Sequence, residues 1–126
     1  MGGIVGVGVD LCEVERMAGT LSRTPGFAAR VFTEAEREVC DRRRNAAECY
    51  AARFAAKEAA LKALGRGVGA CPMQDIEVVR TESGAPELAL HGKAATLAAD
   101  AGVTRWHLSL THTATTAAAI AVAEGP

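Results

Sequence analysis

Arg53-Phe54-Ala55-Ala56-Lys57-Glu58-Ala59-Ala60-Leu61-Lys62-Ala63-Leu64-Gly65 is the stretch from which the fold is read. It closes a run from Ala46 to Leu64 rich in Ala, Leu, Lys and Glu, all strong helix formers, and the series Gly65, Gly67, Gly69 stops it. At about 100° per residue, Tyr50, Phe54, Leu61 and Leu64 share one arc, which predicts a central helix with one face on the core. Lys57 projects inside that arc and Glu58 lies at its edge, with Lys62 one turn further on. Charges near a buried face are costly unless they are paired, hydrogen-bonded or bound to a ligand. The plainer alternative is an i,i+4 pair of Glu58 with Lys62, worth about 0.3–0.5 kcal/mol, with Lys57 reaching past the core to water.

Upstream, Ile4–Val9 alternates as a short strand, with Val5, Val7 and Val9 on one face and Gly6, Gly8 and Asp10 on the other. A helix is expected from Leu11 to about Leu21, broken by Thr24-Pro25-Gly26. Phe27–Phe32 is a short apolar patch. Thr33 with Glu36 forms a capping box that opens a second helix ending near Arg43. Downstream, Ile76 and Val78 mark a strand, Glu82–Pro86 a turn, and Glu87–His91 a returning strand. Gly92 opens an alanine-rich helix that ends at Gly102, and strands over Trp106–Thr111 and Ala117–Val122 flank a Thr-rich turn. The order β-α-α-α-β-β-α-β-β implies an α+β fold, a small antiparallel sheet packed with a long central helix, in one domain over residues 1–126.

The chain has 126 residues, enough for one core and too few for two ordinary domains. Aromatics make up only 4%, so the core must come from small and branched aliphatic side chains, and a core that thin invites a neighbouring subunit. With 14 Lys and Arg against 15 Asp and Glu, bulk charge gives no case for nucleic acid. Arg42, Arg43 and Arg44 form the only dense run, and its plain reading is a solvated loop or helix face. Cys12, Cys40, Cys49 and Cys71 show neither a CxxC pair nor zinc spacing, so reduced thiols in a cytoplasmic protein are expected rather than disulfides. The apolar Met1–Val9 run lacks a basic flank and is too short to span a membrane, so no signal or anchor is expected there.

Several residues carry chemistry. Asp10-Leu11-Cys12-Glu13 is itself a capping box, which accounts for Asp10 as a helix start. Gly6 and Gly8 clear the same strand face, leaving space for a ligand or another backbone beside the carboxylate. The two readings are compatible. The glycines after Leu64 end a helix rather than precede one, so they are no P-loop, yet their amides stand near Lys62 and Arg66. In Trp106–His112, alternation puts Trp106, Leu108, Leu110 and His112 on one face, with His112 at the strand end. A Ser109–His pair has no acid that sequence can place, so hydrolase chemistry ranks low.

Three segments together resemble the holo-acyl-carrier-protein synthase family of 4′-phosphopantetheinyl transferases: Gly6-Val7-Gly8-Val9-Asp10, the Arg53–Gly65 stretch, and His107-Leu108-Ser109-Leu110-Thr111-His112. The resemblance runs through the whole chain in order, and F-A-A-K-E-A-x-x-K is its most specific part. The chain departs from the usual pattern at Leu108, Thr111 and Thr113, where the family often has Val, Ser and Asp.

The resemblance implies transfer of the phosphopantetheine arm of coenzyme A to a serine of an apo acyl carrier protein, for fatty-acid or polyketide synthesis, with release of adenosine 3′,5′-bisphosphate. Asp10 and Glu58 would hold Mg²⁺, or Mn²⁺ in its place, with water and pyrophosphate oxygens completing the octahedron. Glu58 or a water would take the serine proton. Lys62 would stand by the phosphates, Gly65 would admit the nucleotide to the backbone, and His112, Arg53 and Pro86 would lie near it. The family forms homotrimers with sites at subunit boundaries. It binds acidic carriers through basic residues of the first helix, where Arg16 matches and Arg23 and Arg30 extend the patch. Two rival readings are a non-catalytic module that binds nucleotide or carrier, and an oligomerisation domain whose carboxylates are only a cap and an ion pair. Retention of Asp10, Lys57, Glu58 and Lys62 argues against the first rival.

Overall fold

A computed structural model describes residues 2–126, so Met1, which opens the apolar N-terminal run, lies outside the described residues. The order is β1 (Gly3–Glu13), α1 (Val14–Arg23), α2 (Phe27–Val31), α3 (Glu34–Asp41), α4 (Ala46–Ala63), a short 3₁₀ turn (Met73–Asp75), β2 (Ile76–Arg80), β3 (Pro86–Leu90), α5 (Gly92–Asp100), β4 (Arg105–His112) and β5 (Thr116–Gly125). The strands form two antiparallel sheets, one of order β1-β5-β4 and one of β2-β3. The α+β expectation holds. The Phe27–Phe32 patch, however, supplies a further helix, α2, so four helices rather than three separate β1 from β2.

The first strand is longer than its sequence suggests. It pairs with β5 through Glu13 opposite Thr116, and the N–H of Val14 still donates to the Thr115 carbonyl. Cross-strand bonding thus holds residues 11–13 extended, and α1 starts at Val14 with no side-chain cap. The Asp10 capping box does not form. The second box does: Thr33 Oγ1 accepts from the Glu36 N–H at 3.1 Å, and the Glu36 carboxylate accepts from the Thr33 N–H at 2.9 Å.

Around α4 the predicted single apolar arc gives way to burial on nearly every side. Arg53 and Lys57 are buried along with ten further residues of this helix. The three-stranded sheet covers one side of it, while α1, α3 and β2 cover the other. Small residues line the contact with the sheet: Ala117, Ala119, Ala121 and Ala123 of β5 are all buried, beside Gly6 and Gly8 of β1. A Cβ on Gly8 would stand 1.8 Å from the Ala59 carbonyl oxygen, and one on Gly6 equally close to that of Ala63. The glycines therefore admit the helix backbone itself. The valines of β1 face the opposite way and are exposed.

Lys57 does not reach solvent. Its ammonium is fully buried and donates to Glu36 Oε1 at 2.8 Å, to the Met73 carbonyl at 3.2 Å and to the Ile76 carbonyl. Burial pulls its pKa down, and the Glu36 carboxylate opposes that shift. Lys62 pairs with Asp10 rather than Glu58. Cys40 and Cys49 are joined in a disulfide, against the expectation of reduced thiols; the turn between α3 and α4 brings their Cα atoms to 5.3 Å, within bridging range. Cys12 and Cys71 are free.

Two substitutions test this packing. Lys57→Ala leaves the Glu36 carboxylate buried and unpaired and should cost about 3–5 kcal/mol in urea denaturation. Gly8→Ala should cost about 1–3 kcal/mol, because β1 must lift from α4 to admit the methyl group. Parent-like stability of Gly8→Ala would mean the two backbones are not in contact.

Candidate active site

Because β1 lies against α4 at Gly8, the next inward residue, Asp10, comes level with the last turns of the helix. Lys62 Nζ donates to Asp10 Oδ1 at 2.8 Å and to the Val9 carbonyl at 3.2 Å. Glu58 stands beside them. Burial first, and then the neighbouring Asp10 by hydrogen bond and by charge, raise its carboxyl pKa to about 7, with Lys62 opposing the shift. Two carboxylates this close favour either a shared proton or a cation between them. That donor set suits a hard divalent ion, with only two protein carboxylates and the remaining ligands left to substrate and water. Among the described residues, no third His, Cys, Asp or Glu joins them.

Glu58 also forms part of the wall of a cavity of about 530 Å³ between β1, α1 and α4, where Met17, Phe27, Phe54 and Arg16 gather. Arg16 is thus beside the carboxylates. Arg23 and Arg30 are exposed on α1 and α2, with Arg30 donating to the Pro25 carbonyl.

A second cavity, of about 410 Å³, holds Arg53, Pro86 and His112, three residues far apart in sequence and all expected at the nucleotide. Arg43, Arg44 and Arg80 line it too. Two members of the dense arginine run are therefore part of a concave basic site, not simply a solvated face; their clustering was the only sequence signal, and Arg80 gave none. Arg53 is nearly fully buried, donates to Cys49 Sγ at 3.0 Å, and leaves its Nε without a partner. Its pKa is lowered by burial first and then by Arg80, with Arg43 adding to the effect. Crowded cations with an unpartnered buried N–H call for an anion. His112 projects from the end of β4, 3.4 Å from a Glu48 carboxylate oxygen.

Gly65 lines neither cavity. It ends α4 in a left-handed conformation, with φ +70°, and the Arg66 N–H bonds to the Leu61 carbonyl while its own N–H bonds to that of Lys62. Arg53 and Glu58 are five residues apart, so at about 100° per residue they leave α4 about 140° apart. One helix thus lends a side chain to each of two separate cavities.

A family described as the 4′-phosphopantetheinyl transferase superfamily matches residues 6–123. Over 124 residues, the chain is 50% identical to the holo-[acyl-carrier-protein] synthase of Desulforudis audaxviator, spanning 98% of this chain and 95% of that protein. The corresponding synthase of Streptomyces avermitilis is 47% identical over 122 residues, spanning 97% and 98% of the two chains. Among solved structures, Plasmodium yoelii acyl carrier protein synthase with ADP bound superposes with a TM-score of 0.91 at 30% identity, over 100% of this chain and 98% of that one. A holo-(acyl-carrier-protein) synthase from Bacillus anthracis in complex with CoA (3′,5′-ADP) gives 0.80 at 35% identity, over 98% of each chain.

Proposed function

The chain belongs to the 4′-phosphopantetheinyl transferase superfamily, and we propose that it is a single-domain holo-acyl-carrier-protein synthase. It moves the phosphopantetheine arm of coenzyme A onto a serine of an apo carrier protein. The observation that carries this reading is the adjacency of Asp10, Glu58 and Lys62, three charged groups brought together from β1 and α4. The basic cavity around Arg53 supplies the complementary half, suited to the phosphates of the nucleotide.

Asp10 and Glu58 are the residues that would hold Mg²⁺ or Mn²⁺. When bound, the ion neutralises charge on the pyrophosphate and on the departing phosphate oxygen. Arg53, Arg43, Arg44 and Arg80 bind the nucleotide end, Pro86 and His112 flank it, and Lys62 balances charge at the reacting end. The serine hydroxyl gives its proton to Glu58 or a water as its oxygen attacks the β-phosphorus, the bond to the bridging oxygen breaks, and adenosine 3′,5′-bisphosphate departs. Positioning and charge neutralisation do most of this work. Arg16, Arg23 and Arg30, together with the apolar cavity beside Glu58, receive the acidic carrier.

The two half-sites face different ways on one chain, so a complete site needs a second copy. Support comes from the outer face of the three-stranded sheet, where Ile4, Val5, Val7, Val9, Leu11 and Ile120 are all exposed. An apolar sheet face of this kind fits a subunit interface, and a homotrimer with shared sites completes it. No helix among the described residues is long and apolar enough to cross a membrane. The cytoplasm, where coenzyme A and carrier proteins meet, is the proposed location.

Incubation with coenzyme A, Mg²⁺ and an apo carrier should add one phosphopantetheine to the carrier by mass spectrometry, and chelation should abolish the gain. Glu58→Gln and Asp10→Ala should each slow transfer by roughly 10²-fold or more. An unmodified carrier overturns the transferase reading, and parent rates in both variants overturn the metal pair alone. Val9→Glu should yield monomers in light scattering and lose transfer along with assembly; a fully active monomer would show that the sites are not shared.

A further inference from the structure

Glu36 has no place in the chemistry above, yet among the described residues it accepts more hydrogen bonds than any other carboxylate. One oxygen takes the Thr33 N–H and the Lys57 ammonium, at 2.9 and 2.8 Å, and the other takes the Val78 N–H at 2.9 Å. It is 1% exposed and Lys57 is 0% exposed. A single carboxylate thereby joins the start of α3, strand β2 and the middle of α4. Lys57 adds the Met73 and Ile76 carbonyls to the same knot and stands over the Phe32 ring, 5.5 Å from its centre.

The two halves of α4 are anchored differently. Its first turns are tied to α3 by the Cys40–Cys49 disulfide and by the Tyr50 hydroxyl, which donates to Asp41 at 2.7 Å. Arg53 belongs to this half. Beyond it the buried positions, Lys57 apart, are Ala55, Ala56, Ala59, Ala60, Leu61 and Ala63, so that this half of the helix brings mostly methyl groups to a surround that includes Ala119 and Ala121 of the sheet and the larger Met73, Ile76 and Val78. So smooth a helix face constrains rotation only weakly, because apart from Leu61 it offers few knobs to catch in grooves, and the Lys62 ammonium, bonded to Asp10 and the Val9 carbonyl, is an exposed tie at the last turn. Lys57 is the only buried polar side chain of this half, and it immediately precedes Glu58.

We propose that Glu36 is a positioning residue for transfer. Acting through Lys57, it fixes the rotation of the second half of α4, and so holds the Glu58 carboxylate against Asp10. This rests on the functional reading above, in which Glu58 works at the reacting end and the Arg53 cavity binds the nucleotide. A loss of alignment near 1 Å at a reacting centre lowers turnover steeply without affecting remote binding. The effect should therefore fall on kcat and spare the KM for coenzyme A.

The test uses the double variant Glu36→Gln/Lys57→Met, which removes both charges and so avoids leaving one buried alone. With the melting temperature near that of the parent, kcat should fall by about tenfold or more while KM for coenzyme A stays within about twofold. Amide hydrogen exchange over residues 55–63 should quicken, and that over 46–53 should not. A folded double variant with parent kcat overturns the proposal, as does a KM that rises as steeply as kcat falls. Should the double variant not fold, Glu36→Asp keeps the charge but shortens the reach and is held to the same split. If the parent itself leaves the carrier unmodified, the functional reading falls, and the exchange pattern alone decides whether Glu36 holds this half of the helix.

Discussion

The contact between β1 and α4, made backbone to backbone through Gly6 and Gly8, is the constraint from which the arrangement of this protein follows. Any side chain at those positions would overlap the carbonyl oxygens of Ala59 and Ala63. With the strand seated so closely, Asp10 arrives beside Glu58 and Lys62. The same seating has a second effect. Because glycines occupy the inward face of the strand, its β-branched residues have nowhere to go but outward. A flat apolar sheet face results, of a kind that a monomer in water rarely keeps uncovered.

A core in which alanine predominates gains closeness at the expense of buried apolar area. Part of what such a core lacks is supplied by polar order. The Lys57–Glu36 pair, with its satisfied hydrogen bonds, ties three elements together and costs little as long as both partners remain. Arg53 is the contrasting case. It is buried with a polar atom unpaired and other arginines around it, an arrangement that is unfavourable without an anion and stabilised by one.

These features converge on α4, which carries the anion-seeking arginine on one side and the metal-suited carboxylate on another. Set about 140° apart on one helix, the two residues face different cavities of their own chain. The proposed assembly resolves this by letting the basic cavity of one copy face the carboxylates of the next. The apolar sheet face provides the surface on which such copies meet.

Much of this was legible in the sequence. The helix over 46–63 and its glycine stop, the Thr33–Glu36 capping box, the β2–β3 hairpin and the alternation that turns His112 with Trp106 all follow from local propensity and period, which depend on neighbours along the chain. The pairing of Asp10 with Glu58 was reached only by joining the glycine face to the family motif, since each residue alone had a simpler local account. What only the tertiary structure decided is which partner each charge takes. Asp10 gave up its cap because β5 extends β1 past it; Lys57 turned inward to Glu36, 21 residues away; Lys62 chose Asp10 over Glu58; and Cys40 met Cys49. Local rules rank the bonds a residue can make with its neighbours, whereas burial removes water as a competitor and leaves the choice to whichever group the fold brings within reach.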